Sequence, residues 1–496
     1  MPGTSSVRPR VPQHVLALVS LLSIFALSGF FMFAHEMSSG LGRSGSSTAG
    51  PPHVLFLEEE RFAAMVSNTE YLPYSDPGYK LLRQGLPPPG CDASSAELLI
   101  FMYDLPSEFH YGMIRSSRPA AGRANFPHNA SDIPLYPGGQ VYQQHSAEFW
   151  LTNDVLTSNM PDRRTPCTAF RVEDWQSADV VFVPFFASLS YNRYSSVGAK
   201  PRELQKQQNN RDLELQQKLV RYLKMQPAWQ ASGGLDHVIV AHHPNSMQHV
   251  IRSDVLHSAM FVVADFSRYE SSANRVANII DKDVVAPYKH VIPSYLDHDR
   301  NTSFYDRTTL LFFQVALVTK EGGIIRQKLY EILKEEPGVH FETGNTQSNG
   351  FHSAMQGMRS SKFCLYLAGD MPSSNHLFDA IASHCVPVVI SDKIELPFEE
   401  QLDYTEFCLF VKSIDAVQKG FVVELLRSVH RTEWTKMWNR LHQVDLHFRY
   451  QHPTQPDDAV NMVWKSISHK VPSVKFLLHK RNRYKRSKPT SFSAQL

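Results

Sequence analysis

The residues best suited to chemistry lie in "AGDMPSSNHLFDAIASHCVPVVISD" (368–392), where two serines precede a helical pattern and an apolar strand pattern follows it. Ser374 stands where a helix from about Asn375 to His384 needs its cap. The unpaired N–H groups of such a first turn, together with the helix dipole, attract an anion such as a diphosphate. The hydroxyls of Ser373 and Ser374 add donors. His376 and Asp379 are three residues apart and share a helix face, where a carboxylate can accept hydrogen bonds from sugar hydroxyls. A second cradle, Gly322-Gly323, also stands between a strand and a helix, with Arg326 one turn inside it. Each feature has a plain structural reading as a cap, a turn or a surface arginine. What joins them is that both fall at strand ends of one region.

Those ends need strands to hold them, and the chain supplies strands in alternation with helices. Apolar strand-like runs occur at 98–104, 178–186, 237–243 and 259–265. Between them lie helical stretches at 146–158 and 203–225, the latter with Leu204, Leu215, Leu219 and Leu223 broadly along one stripe. A second region repeats the pattern: strand 308–318, helix 324–336, strand "VHFET", helix "SAMQGMRSS", strand "KFCLYLA", the helix just described, then strands "CVPVVIS" and "FCLFV". Late helices carry Trp434, Trp438 and Trp464. The alternation predicts an α/β fold of two Rossmann-like lobes, 96–300 and 301–470, with mostly parallel sheets facing across a cleft. Ligands of such sheets bind beyond the carboxyl ends of the strands, where the serine hinge is placed.

The flanks set the expected compartment. Val15 to Ala34 has no charge and no proline, and as a helix it is long enough to cross about 30 Å of hydrocarbon. Arg8 and Arg10 precede it, so residues 1–14 are expected in the cytosol, 15–34 as a signal anchor and the remainder in the lumen. Residues 35–95, with a Gly/Ser-rich start and Pro87-Pro88-Pro89-Gly90 near their end, read as a stem. Asn129 and Asn301 head glycosylation triplets. Five cysteines leave at least one thiol, and Cys364 and Cys385 are open to either a bridge or burial as thiols. Residues 471–496, dense in Lys and Arg, read as a basic flexible tail. In a lumenal protein that tail does not point to nucleic acid, and the net charge of +2 selects no partner.

"SSKFCLYLAGDMPSSNHLFDAIASHCVPVVISDKIELPFEE" (360–400) resembles the signature region of the exostosin-like glycosyltransferases of family 47. "FMYDLPSEFHYGM", "ADVVFVPFF", "HVIVAHHPNSM" and "DKDVVAPYKHVIPSY" are similar to its N-terminal blocks, in the same order across about 98–470. Within the family the chain is most similar to a plant branch that includes arabinan arabinosyltransferases. The resemblance implies a GT-B fold and a Golgi type II membrane protein with a lumenal catalytic body. It also implies an inverting transfer of a sugar, arabinose by branch, from a UDP-sugar to a cell-wall polysaccharide such as pectic arabinan. Donor binding falls to Arg326, Ser373, Ser374, His376 and Asp379. A complex with other glycosyltransferases and contact with the Golgi membrane through 15–34 are further implied partners.

Two positions depart from the family pattern. His376 stands where relatives usually carry arginine, exchanging a fixed bidentate cation for a group that ordinarily titrates near neutrality. Val315 stands where they usually carry glycine. Both features favour an alternative function, a non-catalytic Golgi scaffold or assembly partner with a degenerate donor site. Inversion needs a base for the acceptor hydroxyl, for which Glu148 ranks first and Asp104 second, ahead of His242, His243 and Asp265. Asp281-Lys-Asp283 and Asp297-His-Asp299 have a metal-cradling form, but in a GT-B layout helix termini and basic residues take that role. No cofactor and no metal is expected.

Overall fold

A computed structural model describes residues 91–483 apart from 115–124, 161–162, 164–165, 196–201, 248–249, 251–255, 266–281, 296–302, 316–322, 344–347 and 369–370. The expected anchor, the stem up to residue 90, Asn301, Asp281, Asp297 and Asp299 lie outside the described residues. Among the described residues no helix is long and apolar enough to cross a membrane.

Two sheets, both wholly parallel, carry the fold. The first has the order β2-β1-β3-β4-β5-β6 and is built from β1 (Leu98–Met102), β2 (Ala169–Val172), β3 (Val180–Val183), β4 (His237–Val240), β5 (Met260–Val263) and β6 (Val284–Val285). Every residue of β3, β4 and β5 is buried, as expected of parallel strands covered on both faces. The second sheet has the order β11-β10-β9-β7-β8, from β7 (Thr309–Val315), β8 (Val339–Thr343), β9 (Ser361–Leu367), β10 (Val386–Ile390) and β11 (Leu409–Phe410). β10 lies in register on β9, from Val386 opposite Phe363 to Ile390 opposite Leu367.

The helices that matter for the site follow the strands in the expected alternation. In the first half they are α1 (Ala147–Thr157), α2 (Ala187–Tyr194) and α3 (Arg202–Met225); in the second, α4 (Gly323–Leu333), α5 (Ser348–Arg359), α6 (Asn375–Ala382), α7 (Arg431–Val444) and α8 (Ala459–Arg483). Helix α3 buries Leu215, Leu219 and Leu223 along one stripe. Helix α1 is buried almost along its whole length, including Glu148, Asn153 and Asp154, so its polar groups must find partners inside. Asp154 does so with Arg163 at 2.7 Å.

The two sheets are not separate bodies: the described residues of 91–483 form one compact unit. Leu377, Phe378 and Ile381 of α6 share a hydrophobic cluster with Val238 of β4, Val262 of β5 and Trp464 of α8. Helix α8 makes the return crossing. Its Trp464 meets Phe182 of β3 edge to face at 5.6 Å, and Asn461 Nδ2 donates to Thr168 Oγ1 at 2.7 Å.

The expectation of a flexible tail over 471–496 is corrected for 471–483 by the same helix, which continues through Pro472 to Arg483, while 484–496 lie outside the described residues. Pro472 is the natural place to stop a helix. Buried Val471 and Val474 carry this one past it, with Lys475 on Asp179 at 2.6 Å and Arg481 donating to the Ser232 carbonyl.

The cysteine question is also decided. Cys91 pairs with Cys167 and Cys364 with Cys385, while Cys408 is a buried thiol. The second bridge ties β9 to the residue just before β10.

Candidate active site

The serine hinge sits where the two sheets meet and is pinned from both sides. From the first sheet, Asp265, two residues beyond β5, accepts the Ser373 backbone N–H at 3.0 Å and the Ser373 hydroxyl at 2.5 Å on the same oxygen. Tyr288 donates to the Ser373 carbonyl at 3.4 Å. From the second sheet, Tyr366 of β9 donates to the Pro372 carbonyl at 2.7 Å and Ser391, following β10, at 3.0 Å. The turn that precedes α6 therefore already carries an anion, the protein's own Asp265 carboxylate.

Ser374 is the residue before α6, as the spacing predicts, but its hydroxyl makes no capping bond. It lies beside the Tyr366 phenol, whose proton is committed to Pro372. The first turn of α6 thus lacks the side-chain acceptor that usually occupies it.

Asp379 does not face the hinge opening as the helix-face argument implies. Its Oδ1 accepts the N–H groups of Val291 and Ile292 at 2.8 and 3.1 Å, and its Oδ2 accepts Asn375 Nδ2 at 2.6 Å. The reason is the crossing segment 286–295, whose unpaired N–H groups take the nearest buried acceptor. Burial pushes the carboxyl up to about 7, against those amide donors and the nearby Lys289 ammonium.

Cations do gather at this place. Arg326, one turn into α4, is 4% exposed and donates to the carbonyls of Ala368 and Leu367 at the end of β9, 3.0 and 3.2 Å away. Lys289 is half-buried, with its amine pushed down by burial and drawn back up by Asp379, and it forms no ion pair among the described residues. His376 is half-buried too. Burial, and then the Arg326 charge, push its imidazole down to about 4, so it is a neutral group at working pH and not one poised near neutrality.

On the first-sheet side of the hinge stands a group of rings. His145, two residues before α1, lies 4.5 Å from His243 and 5.0 Å from Tyr288, centroid to centroid, and Tyr288 stacks on Phe378 of α6 at 5.8 Å. Its proton arrangement can be read from the acceptors. The Ala286 carbonyl only accepts, so His242 Nε2, 3.1 Å away, carries a proton. In the neutral ring His242 Nδ1 is then an acceptor, and His145 Nδ1, at 3.1 Å, is the donor to it. This order places the lone pair of a neutral His145 on Nε2.

Glu148 is one relay away from these rings. Its carboxylate accepts the N–H groups of Ser188 and Leu189, at 3.0 and 3.1 Å, and the Ser188 hydroxyl at 3.0 Å, so it caps the start of α2. Ser188 Oγ in turn accepts the His243 N–H at 3.0 Å. At 1% exposure, Glu148 is held by donors from inside the fold. Burial pushes its carboxyl up to about 8, from an ordinary value of 4.5. The folded protein then keeps a proton that the unfolded chain releases, so stability falls as pH rises between those values. Glu148→Gln, which mimics the protonated acid, should therefore be close to wild type in melting temperature near the acid end. It should become the more stable of the two as the pH approaches 8. Parallel melting curves across that range check this.

Asp104 is exposed, accepts Asn125 Nδ2 at 3.0 Å and lines a separate cavity. It follows β1, three strand intervals from β5, or about 14 Å along the sheet at ordinary strand spacing. The structure does not bring it to the hinge. Asp283 is buried, accepting the Phe261 N–H at 2.8 Å and the Lys282 ammonium. Among the described residues no group of three or more His, Cys, Asp or Glu is gathered as for a metal. Asn129 is exposed at the start of a 3-10 turn, where a glycan has room.

The fold thus unites Arg326, Ser373, Ser374, His376 and Asp379, links Glu148 to them through Ser188 and the histidines, and leaves Asp104 apart. Sequence reasoning missed His145, Tyr288 and Lys289. The last two lie in the "APYKH" stretch directly after β6, so their place at a strand end was the available signal.

The exostosin GT47 domain model matches residues 94–429. The chain is 33% identical over 410 residues, 82% of its length and 86% of the relative's, to "Probable arabinosyltransferase ARAD1" of Arabidopsis thaliana. It is 22% identical over 75% of its length, and 77% of the relative's, to "Probable glucuronoxylan glucuronosyltransferase IRX7" of the same plant. Among solved structures, the pneumococcal O-GlcNAc transferase GtfA in complex with UDP and GlcNAc is similar at a TM-score of 0.30 and 11% identity, over 53% of this chain and 60% of that one.

Proposed function

Since this chain belongs to the exostosin GT47 family and is a glycosyltransferase, we propose that it moves arabinose, with inversion, from a UDP-sugar to a cell-wall polysaccharide such as pectic arabinan. In this reading the two sheets are the halves of a GT-B enzyme. The observation that carries it is the convergence at the hinge: an α6 first turn without a capping acceptor, flanked by Arg326 and Lys289, opposite the first-sheet histidines. The diphosphate rests on the Ser374–Leu377 turn and the two cations, which stabilise the charge of the departing UDP without a metal. His145 Nε2 takes the proton of the acceptor hydroxyl as that oxygen attacks the anomeric carbon. Glu148 holds the start of α2 and, through Ser188, the His243 backbone.

The arabinose assignment rests on similarity to the arabinosyltransferase-named relative. An oxidising lumen for the body is supported by the two disulfides and the exposed Asn129. Donor hydrolysis by the purified full chain across a panel of UDP-sugars tests the reading, with UDP-arabinose expected to turn over fastest and excess EDTA expected to leave the rate unchanged. No binding of any UDP-sugar in calorimetry would overturn it.

The Asp265 carboxylate on Ser373 and the neutral His376 favour one rival, a Golgi assembly partner without turnover. His376→Arg separates the two. A gain in UDP affinity from an undetectable base supports the rival, whereas a measurable wild-type affinity with little change supports a working donor site.

A further inference from the structure

Beside edge strand β2, well away from the hinge, an open cavity of about 500 Å³ is lined by Asp104, Asn125, Phe126, His128, Asn159 and Arg171, among others. Arg171 belongs to β2, opposite Ile100 of β1, and its backbone N–H donates to Ser158 Oγ at 2.9 Å, which fixes where the side chain starts. Among the described residues its buried Nε has no hydrogen-bond partner and no ion pair holds the guanidinium. A half-buried cation held in no direct ion pair is costly, and its planar fork fits a carboxylate with two parallel hydrogen bonds.

The rest of the lining selects the kind of anion. Asp104 faces the same space and, among the described residues, accepts only Asn125 Nδ2, leaving lone pairs for hydroxyl groups, and it would repel a phosphate's extra charge. The amides of Asn125 and Asn159 can both donate and accept. The Phe126 ring, stacked on His110 at 4.3 Å, is held rigid as an apolar wall. Carboxylate, hydroxyls and an apolar ring face occur together in a uronic acid.

We propose that this cavity is a subsite for a uronic-acid unit of the glycan on which the enzyme acts, gripped at its carboxylate by Arg171 and at its hydroxyls by Asp104 and the two amides. This rests on the reading of the chain as a polysaccharide glycosyltransferase. The separation of Asp104 from the hinge, about 14 Å at ordinary strand spacing, then makes the subsite one for a unit remote from the reacting sugar.

Calorimetry on the full chain with a short oligogalacturonide, its methyl ester and a neutral arabino-oligosaccharide tests this. The acid should bind about ten- to a hundredfold more tightly than its ester, the range of a hydrogen bond to a charged group. Arg171→Gln should erase that difference and Arg171→Lys should retain part of it. Equal binding of acid and ester by the wild type, or an acid preference that survives in folded Arg171→Gln, overturns the proposal. Should the Gln variant fail to fold, the acid and ester comparison on the wild type decides alone. UDP affinity measured on the same samples keeps the two readings apart: acid preference without UDP binding supports the subsite and counts against the donor site, and UDP binding without acid preference does the reverse.

Discussion

Replacing His145 by glutamine is expected to lower kcat by about a hundred- to ten-thousandfold, the usual contribution of a positioned general base, while leaving UDP affinity near that of the wild type. The split follows from geometry. His145 belongs to the first-sheet side, where it donates from Nδ1 to His242, whereas the cations placed for the diphosphate, Arg326 and Lys289, do not depend on it. Glutamine can still donate to His242 through its amide, so the ring cluster keeps its hydrogen bond and the loss reports chemistry more than packing. The acidic limb of the wild-type kcat profile, where a neutral imidazole is needed, should vanish in the variant. A kcat close to wild type, or a loss confined to donor KM, would show that His145 only braces the junction. Glu148→Gln should cost far less, because that carboxylate already spends its acceptor capacity on Ser188 and Leu189.

The second large effect is expected on stability, from Arg307→Met. Arg307 is fully buried and forms no ion pair among the described residues. Its guanidinium donates to the carbonyls of Met358 at 3.2 Å, Ser361 at 2.7 Å and Ser383 at 3.3 Å. Met358 is in the last turn of α5 and Ser383 directly follows α6, so the charge is balanced by two helix carboxyl ends. One side chain therefore joins α5, the start of β9 and the end of α6. Methionine fills similar volume but strands three buried carbonyls, a loss of about 3–5 kcal/mol. Arg307→Lys should recover only part of it, since a single ammonium cannot reach three acceptors so spread. Denaturant midpoints of oxidised protein measure both. A cost below about 1 kcal/mol for the methionine variant would mean that those carbonyls find other donors.

Much of the fold was legible in the amino-acid order. The strand at 339–343 is observed as read, the helices read at 146–158 and 203–225 end within a residue of the observed α1 and α3, and the apolar runs all become parallel strands. That legibility has a physical cause. Which face of a helix or strand is buried is written in the spacing of its own side chains, over a few consecutive residues. The position of the hinge at a strand end, and of Arg326 near it, came from the same local grammar.

What the order of residues did not contain was the partner of each polar group. Glu148 and Asp379 both look like free carboxylates on helix faces, yet one caps a helix 40 residues later and the other accepts amides 88 residues earlier. Ser373 and Asp265, which close the hinge, are 108 residues apart. The prolonged helix α8 likewise depends on first-sheet groups it meets only after the chain has crossed twice, Asp179 among them. Periodicity thus determined most of the elements and the place of the hinge, though not the strands at 169–172 and 284–285. Only tertiary structure decided which carboxylates were already engaged and which histidine came to stand beside the site, because a buried hydrogen bond depends on positions in space within about 3 Å, and separation along the chain carries no record of them.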